Sequence, residues 1–429
     1  MGKLMLGVAR RIITPRVGCQ LYGYSPDIFS ERVEDDLTVS AFYFEQGDLC
    51  ALMISAAVCL INSSLSDEIL SLIEEKYAIP KENCMLCATH THSGPNTAGE
   101  SGWGDIDRNY CDGIFVPRIL EAVGEAVKNR VYVKMGIAVG KSLVGINRRE
   151  INENNKVILG QNPWGSFDPK MTVISFRDEG GKNVANMIHY GAHGTAAGKN
   201  HEISRDWSGI MTDTLEKQTG AITAFFNGPE GDVGPRISNG KTTGDISYVK
   251  ELGNVAAMDA VNIYNTILAY HDAELRVSHK NLRIPLKKRV SLEEAVLTAE
   301  QYKGQTVNIK GMIRAQMERV ICSYEQGYVD ADAREVGQTL ISLGDAVFAS
   351  FPYELFSEVG MRINKAFKNK TVLSLSNTNG SEGYFVTQDS LCRGGYEVNM
   401  FLYGHVQSFF DDADFYLMRE TVDHINGLK

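Results

Sequence analysis

The chain has 429 residues, 43% of them hydrophobic, and a formal net charge of −10, enough apolar content for a large buried core. The acidic balance and the lack of any Lys/Arg block longer than Lys287-Lys288-Arg289 exclude a nucleic-acid or anionic-membrane surface as the expected partner. No segment reaches the roughly 20 apolar residues of a membrane span, and the opening apolar run is too short for a secretory signal, so a cytoplasmic protein without a stable membrane anchor is expected.

Val8 to Thr14 reads as a strand closing at Pro15, followed by an aromatic loop from Gln20 to Pro26. Leu37 to Phe44 and Leu49 to Ala56 are strands of a hairpin turning at Glu45-Gln-Gly-Asp48. Leu65, Ile69, Leu72 and Ile73 have helical spacing, with Ser64 and Asp67 as a capping pair. Tyr110 to Lys128 reads as a second helix and Val131 to Val139 as a strand. After a polar loop through Asp168, the runs Met171 to Phe176 and Val184 to Tyr190 form strands around Glu179-Gly-Gly. Ser208 to Gln218 is helical, and the strand Ala221 to Phe226 enters the Gly- and Pro-dense loop Asn227 to Pro235. Tyr248 to Ala269 is a long helix, and Val290 to Met317 is helical with breaks at Gly304 and Gly311. Val347 to Phe351 is a strand leading to a helix from Tyr353 to Phe367. Val372 to Leu375 is a strand, Asn377 to Gly395 a Gly-rich loop, and Val406 to Ile425 a closing helix capped by Gly427. The interleaving predicts α/β architecture: residues 1–429 as one large domain with mixed β-sheets and flanking helices. Breaker loops fall at the carboxyl ends of strands, where open α/β sheets place their ligands.

Chemistry concentrates in Cys84-Met-Leu-Cys-Ala-Thr-His90-Thr-His92-Ser-Gly-Pro95. An extended strand would put both imidazoles on one face just before Ser-Gly-Pro ends it. The pair suits one metal ligand and one proton carrier, or two ligands. Cys84 and Cys87 would point to opposite faces, against a zinc knot, and the eight scattered cysteines fit reduced core thiols. A catalytic zinc needs three or four N and O ligands, so further candidates are required. His193 ends a strand among small residues. His189, in the strand body, is expected in the core or backing the site, and His201 either at the site or facing solvent. Glu354 could be a ligand or offset a helix dipole. Tyr384 and Tyr396 lie in Gly-rich sequence where a phenol can approach a metal or a polarised carbonyl.

Taken together, Ala88-Thr-His-Thr-His-Ser-Gly-Pro95, Ile13-Thr-Pro15 with Gly23-Tyr24, Asn147-Arg148, His193-Gly-Thr195, Ile203-Ser-Arg-Asp206, Gly231-Asp-Val-Gly-Pro235, Gly383-Tyr-Phe-Val-Thr387 and Gly-Tyr396-Glu resemble the neutral/alkaline, non-lysosomal ceramidases, zinc amidases that cleave the N-acyl bond of ceramide. The resemblance implies the ceramidase catalytic-domain fold and one zinc per chain on His90, His193, Glu354 and Tyr384. It implies water activated by zinc, a proton passed by His92 to the leaving amine, a hydrogen bond from Tyr396 to the oxyanion, and Arg148, or Arg149 beside it, on a polar or anionic part of the substrate. Two departures stand out. Gly234 replaces a serine that contacts substrate in that family, and the chain is expected to be without the C-terminal immunoglobulin-like domain and secretion signal of the long ceramidases. The expectation is a short, intracellular bacterial-type relative: a zinc-dependent hydrolase of a linear N-acyl amide, its substrate a small, lipid-like or soluble molecule other than ceramide. The alternatives are a zinc-dependent esterase or acyl hydrolase, and a non-catalytic binding protein retaining the fold.

Overall fold

Eight strands in the order Ile222–Asn227, Asn183–Tyr190, Lys170–Asp178, Val131–Lys141, Met5–Ile12, Thr38–Gln46, Leu49–Ala56 and Cys84–Ala88 make one mixed sheet. Leu275–Pro285, Ala333–Leu343, Ala346–Ser350 and Thr371–Leu375 make a second. This is a computed structural model describing residues 2–428. The two sheets pack face to face, because side chains alternate across a strand and both inner faces are apolar. Phe42, Phe44, Met53, Met85, Phe176, Met187 and Phe226 of the first sheet meet Ile341, Leu343, Phe348, Leu373 and Leu375 of the second. Truncating a ring such as Phe226 or Phe348 in that layer would cost about 3–5 kcal/mol.

Helices cover the outer faces. Ser63–Tyr77 and Val116–Lys128 lie on one half of the large sheet, and Trp207–Thr219 and Ile246–Asn265 on the other. Asn308–Glu325, Ser357–Lys365, Tyr396–Tyr403 and Ala413–Gly427 cover the small sheet. The result is a helix–sheet–sheet–helix stack of mixed α/β type. No helix among the described residues is long and apolar enough to cross a membrane.

Within these two sheets three pairs of neighbouring strands run parallel: Leu49–Ala56 with Cys84–Ala88, Asn183–Tyr190 with Ile222–Asn227, and Ala346–Ser350 with Thr371–Leu375. A parallel pair needs a crossover, and each here is helical. The segments bearing His90, His193, Glu354 and Tyr384 leave the carboxyl ends of these strands. The large sheet coils until its edge strands approach, with Ser55 Oγ donating to Phe225 O at 2.6 Å and Asn227 Nδ2 to Thr89 O at 3.2 Å. The segment after Thr371–Leu375 then hydrogen-bonds to the free edge, Asn379 N donating to Leu86 O at 2.9 Å.

Several local expectations need correction. The capping oxygen of the first helix belongs to Asn62, which accepts from Ser64 N, so the Ser64/Asp67 pair does not cap it. Gly311 sits inside Asn308–Glu325, where tertiary packing overrides its poor helix propensity. The closing helix begins at Ala413 and ends with Gly427 inside it. Leu275–Pro285 and Ala333–Leu343, interrupted by the polar run Ser278 to Asn281 and by Gly337 to Thr339, are strands that the apolar pattern does not signal, and Arg149–Ile151 with Val157–Leu159 forms a hairpin inside the polar loop. The Ser357–Lys365 helix starts later than Tyr353, and Glu354 instead lies in a two-residue strand paired with Tyr384–Phe385. A helix dipole therefore does not account for Glu354.

Candidate metal centre

The extended strand stops at Ala88, and His90 takes a left-handed φ of 66°, rare outside glycine. Strand alternation thus does not bring the imidazoles together, and the turn at His90 does. That turn is held by His90 N donating to Val58 O at 3.0 Å, Gly194 N to His90 O at 3.2 Å and His92 N to Gly194 O at 3.1 Å. The last two bonds join the loops bearing His90 and His193. Asp206, buried at the start of the Trp207–Thr219 helix, accepts from Ala196 N at 3.2 Å and Ala197 N at 2.9 Å and so closes the His193 loop from below. Burial against those bonds pushes its carboxyl up to about 6.

Both imidazoles are fixed by backbone carbonyls at Nδ1: His90 by Cys59 O at 2.9 Å, and His193 by Glu230 O at 2.9 Å and Val233 O at 3.1 Å. A carbonyl can only accept, so Nδ1 carries the proton and Nε2 presents a lone pair. The two Nε2 atoms stand 3.4 and 3.1 Å from Glu354 Oε2, and all three residues are buried. Apart from those nitrogens, Glu354 Oε2 has no hydrogen-bond partner among the described residues. Tyr384 OH lies 3.4 Å from His193 Nε2. Ligand atoms in a tetrahedron with metal bonds of about 2.0–2.1 Å are about 3.3–3.4 Å apart, so the set fits a divalent cation, with neutral nitrogens and one carboxylate as donors. Cys59 Sγ, 3.6 Å from His90 Nδ1, is a further metal-capable atom that the sequence did not single out.

Electrostatics separate the two imidazoles: although burial acts the other way, Cys59 and Glu354 raise His90 well above its ordinary value, so a cation at its Nε2 must displace a proton. Burial, with the charges of Arg148 and His90, depresses His193 to about 3. His92 is held well below its ordinary value by burial, then by His90 and His193. Glu354 lies well below the usual carboxylate range, because His90 and His193 outweigh a burial penalty that acts the other way. Burial raises the phenols of Tyr384 and Tyr396, keeping both protonated at neutral pH.

His92 Nε2 is 3.3 Å from His90 Nε2, and its buried Nδ1 has no partner among the described residues. Tyr24 packs against its ring at 5.1 Å between centroids, and Gly23 leaves room where a Cβ would sit 2.2 Å from Nδ1. The Tyr396 ring is 5.8 Å from that of Tyr384. Arg148 donates from Nε to Glu397 Oε1 at 2.8 Å and from Nη2 to Tyr384 OH at 2.9 Å. Arg149 reaches the other oxygen of Glu397 at 2.6 Å. His189 bonds Ser374 O at 2.9 Å between the two sheets, and His201 is exposed on Phe29 O. The residues that the sequence did not single out, Cys59, Glu230, Asn377 and Glu397, act on the others through backbone or side-chain bonds, and no motif spacing marks such contacts.

A family model described as neutral/alkaline non-lysosomal ceramidase, N-terminal, matches residues 4–251. The chain belongs to this family. Among curated ceramidases, neutral ceramidase A of Dictyostelium discoideum is 28% identical over 209 residues, 43% of this chain and 29% of that protein. The neutral ceramidase of Pseudomonas aeruginosa is 23% identical over 213 residues, 45% of this chain and 31% of that one. The matched region thus spans less than a third of either relative. The crystal structure of the Pseudomonas aeruginosa neutral ceramidase superposes with a TM-score of 0.77 at 19% identity, covering 99% of this chain and 74% of that one. A ceramidase complexed with C2 gives 0.74 at 17% identity, with 99% and 75% covered. The ceramidase fold therefore continues past the family match, through Glu354, Tyr384 and Tyr396.

Proposed function

We propose that this ceramidase-family chain is a zinc-dependent hydrolase of an N-acyl amide other than ceramide. The observation that carries this reading is the convergence of His90 Nε2, His193 Nε2 and Glu354 Oε2, with His92 beside them. His90, His193, Glu354 and Tyr384 would hold zinc, which would supply a Lewis acid to acidify water and polarise a carbonyl. His92, neutral and with Nε2 facing the centre beside His90 Nε2, takes the proton of the attacking water and delivers it to the departing amine nitrogen. Tyr396 keeps its proton and donates to the carbonyl oxygen as charge develops there. Arg148, anchored on Glu397, holds the Tyr384 phenol in place.

Gly234 supports a substrate different from ceramide. A Cβ there would lie 2.6 Å from Thr242 Cβ and Cγ2, so the family's serine has no room in this chain. The test is elemental analysis of the wild type beside His90→Ala, followed by a panel of N-acyl amides with His92→Ala as the inactive control. About one zinc per chain, lost in His90→Ala, with amide cleavage abolished in His92→Ala, is expected. A wild type that holds no zinc after resupply would sink the reading.

A further inference from the structure

Glu230 is wholly buried, and its carboxylate Oε2 has no partner among the described residues. A buried acid with an unpartnered oxygen costs stability that an apolar side chain would not. Its bonds show what that cost accompanies. The backbone oxygen of Glu230 accepts from His193 Nδ1 at 2.9 Å, and its Oε1 accepts from Asn377 Nδ2 at 2.6 Å. The same Asn377 nitrogen lies 3.4 Å from His90 Nδ1. The backbone of Asn377 accepts from Ala88 N and donates to Tyr353 O, both at 3.1 Å, while Gly231 N donates to Leu355 O at 2.7 Å. One residue thus touches His193 directly and, through the Asn377 side chain, braces the backbone at Ala88 before His90 and at Tyr353 before Glu354.

We infer that Glu230 is a positioning residue for the metal centre, fixing His193 through its carbonyl and, through the carboxyl–amide link to Asn377, bracing the backbone just before His90 and Glu354. The inference rests on the metal-site reading above. Partners of this kind orient ligating imidazoles, and their loss weakens metal binding by about 10- to 100-fold. Nothing in the spacing of Asn227 to Pro235 marks Glu230, since the link to Asn377 joins the two sheets.

The experiment is competition for zinc against a chelating indicator, on the full chain, for wild type, Glu230→Ala, Glu230→Gln and Asn377→Gly. Glycine suits position 377 because the backbone there has a φ of 47°, which a residue without Cβ adopts freely. Expected is a loss of about 10- to 100-fold in zinc affinity for Glu230→Ala and for Asn377→Gly. No further loss is expected when the two are combined, since they break one link. Glu230→Gln, whose amide oxygen can still accept from Asn377, restores most of the affinity. Melting curves of the metal-free proteins separate these effects from unfolding, and if Glu230→Ala does not fold, Asn377→Gly and Glu230→Gln carry the test. Unchanged affinity in the variants, beside a wild type that binds zinc, overturns this inference alone. So does a Gln variant as weak as the alanine one. A wild type that binds no zinc overturns the metal-site reading and this inference with it.

Discussion

Arg148 Nη2 donates to the phenol oxygen of Tyr384 at 2.9 Å while its Nε is held by Glu397 at 2.8 Å. Two faces of the guanidinium are therefore committed inside the protein, and a lysine cannot reproduce that fork. Arg148→Lys is expected to lower kcat about 10- to 100-fold while KM stays within about 3-fold. Steady-state kinetics decide: a raised KM at unchanged kcat would put the guanidinium on the substrate instead.

Gly23 has a φ of 122°, and a Cβ on it would sit 2.2 Å from His92 Nδ1. Gly23→Ala is expected to displace His92 and lower turnover by about 100-fold or more, the scale of a lost proton carrier. Zinc content should stay at the wild-type level, because Gly23 touches none of the proposed ligands. Zinc analysis beside kcat checks this, and loss of both together would contradict it.

Thr242 fills the space that a side chain at position 234 would need. Gly234→Ser is expected to destabilise the protein by about 1–3 kcal/mol through overpacking, seen as a lower melting temperature with no gain of ceramide cleavage. Gly234→Ser with Thr242→Gly should recover the melting temperature. If the single variant melts like the wild type, the steric account fails.

His405 accepts from Arg334 Nη1 at 2.8 Å, and burial, then the Arg334 charge, depress it to about 3. The unfolded chain binds a proton near pH 6.5 and the folded one does not, so stability present above pH 6.5 is lost as pH falls toward 3. At pH 5 the loss from this group is about 2 kcal/mol. Urea unfolding at pH 7 and pH 5 should show a smaller acid loss in His405→Gln. An equal loss in both proteins would remove His405 from the account.

Much of the architecture was legible because apolar periodicity marks elements that bury one face, as with Leu49 to Ala56 or Ile246–Asn265. Cys84 and Cys87 do face opposite layers, one packing toward the outer helices and the other between the sheets. Leu275–Pro285 and Ala333–Leu343 escaped notice because the polar run Ser278 to Asn281 and the stretch Gly337 to Thr339 interrupt their apolar alternation, and their pairing partner lies far along the chain. The histidines were legible as a pair, yet the cause of their convergence was not, since no local pattern announces a left-handed His90 stabilised by Val58 and Gly194. Glu354 was obscured by Tyr353 and Phe356, which suggest an amphipathic helix start, whereas its actual partner is Tyr384 on another segment.

His90 and His193 hang from the large sheet, Glu354 and Tyr384 from the small one, and the loops are joined across that seam by backbone and side-chain hydrogen bonds and by the packing of Cys59 and Leu60 in one layer with Leu355 and Tyr384. Binding energy at such a site is delivered to the seam itself, because an ion that prefers the closed arrangement stabilises it by mass action. The metal centre would then work as a rivet between two slabs as much as a reaction site. Stripping it would loosen the joint before either sheet melts, exposing the loops on both sides to proteases while the strands still hold.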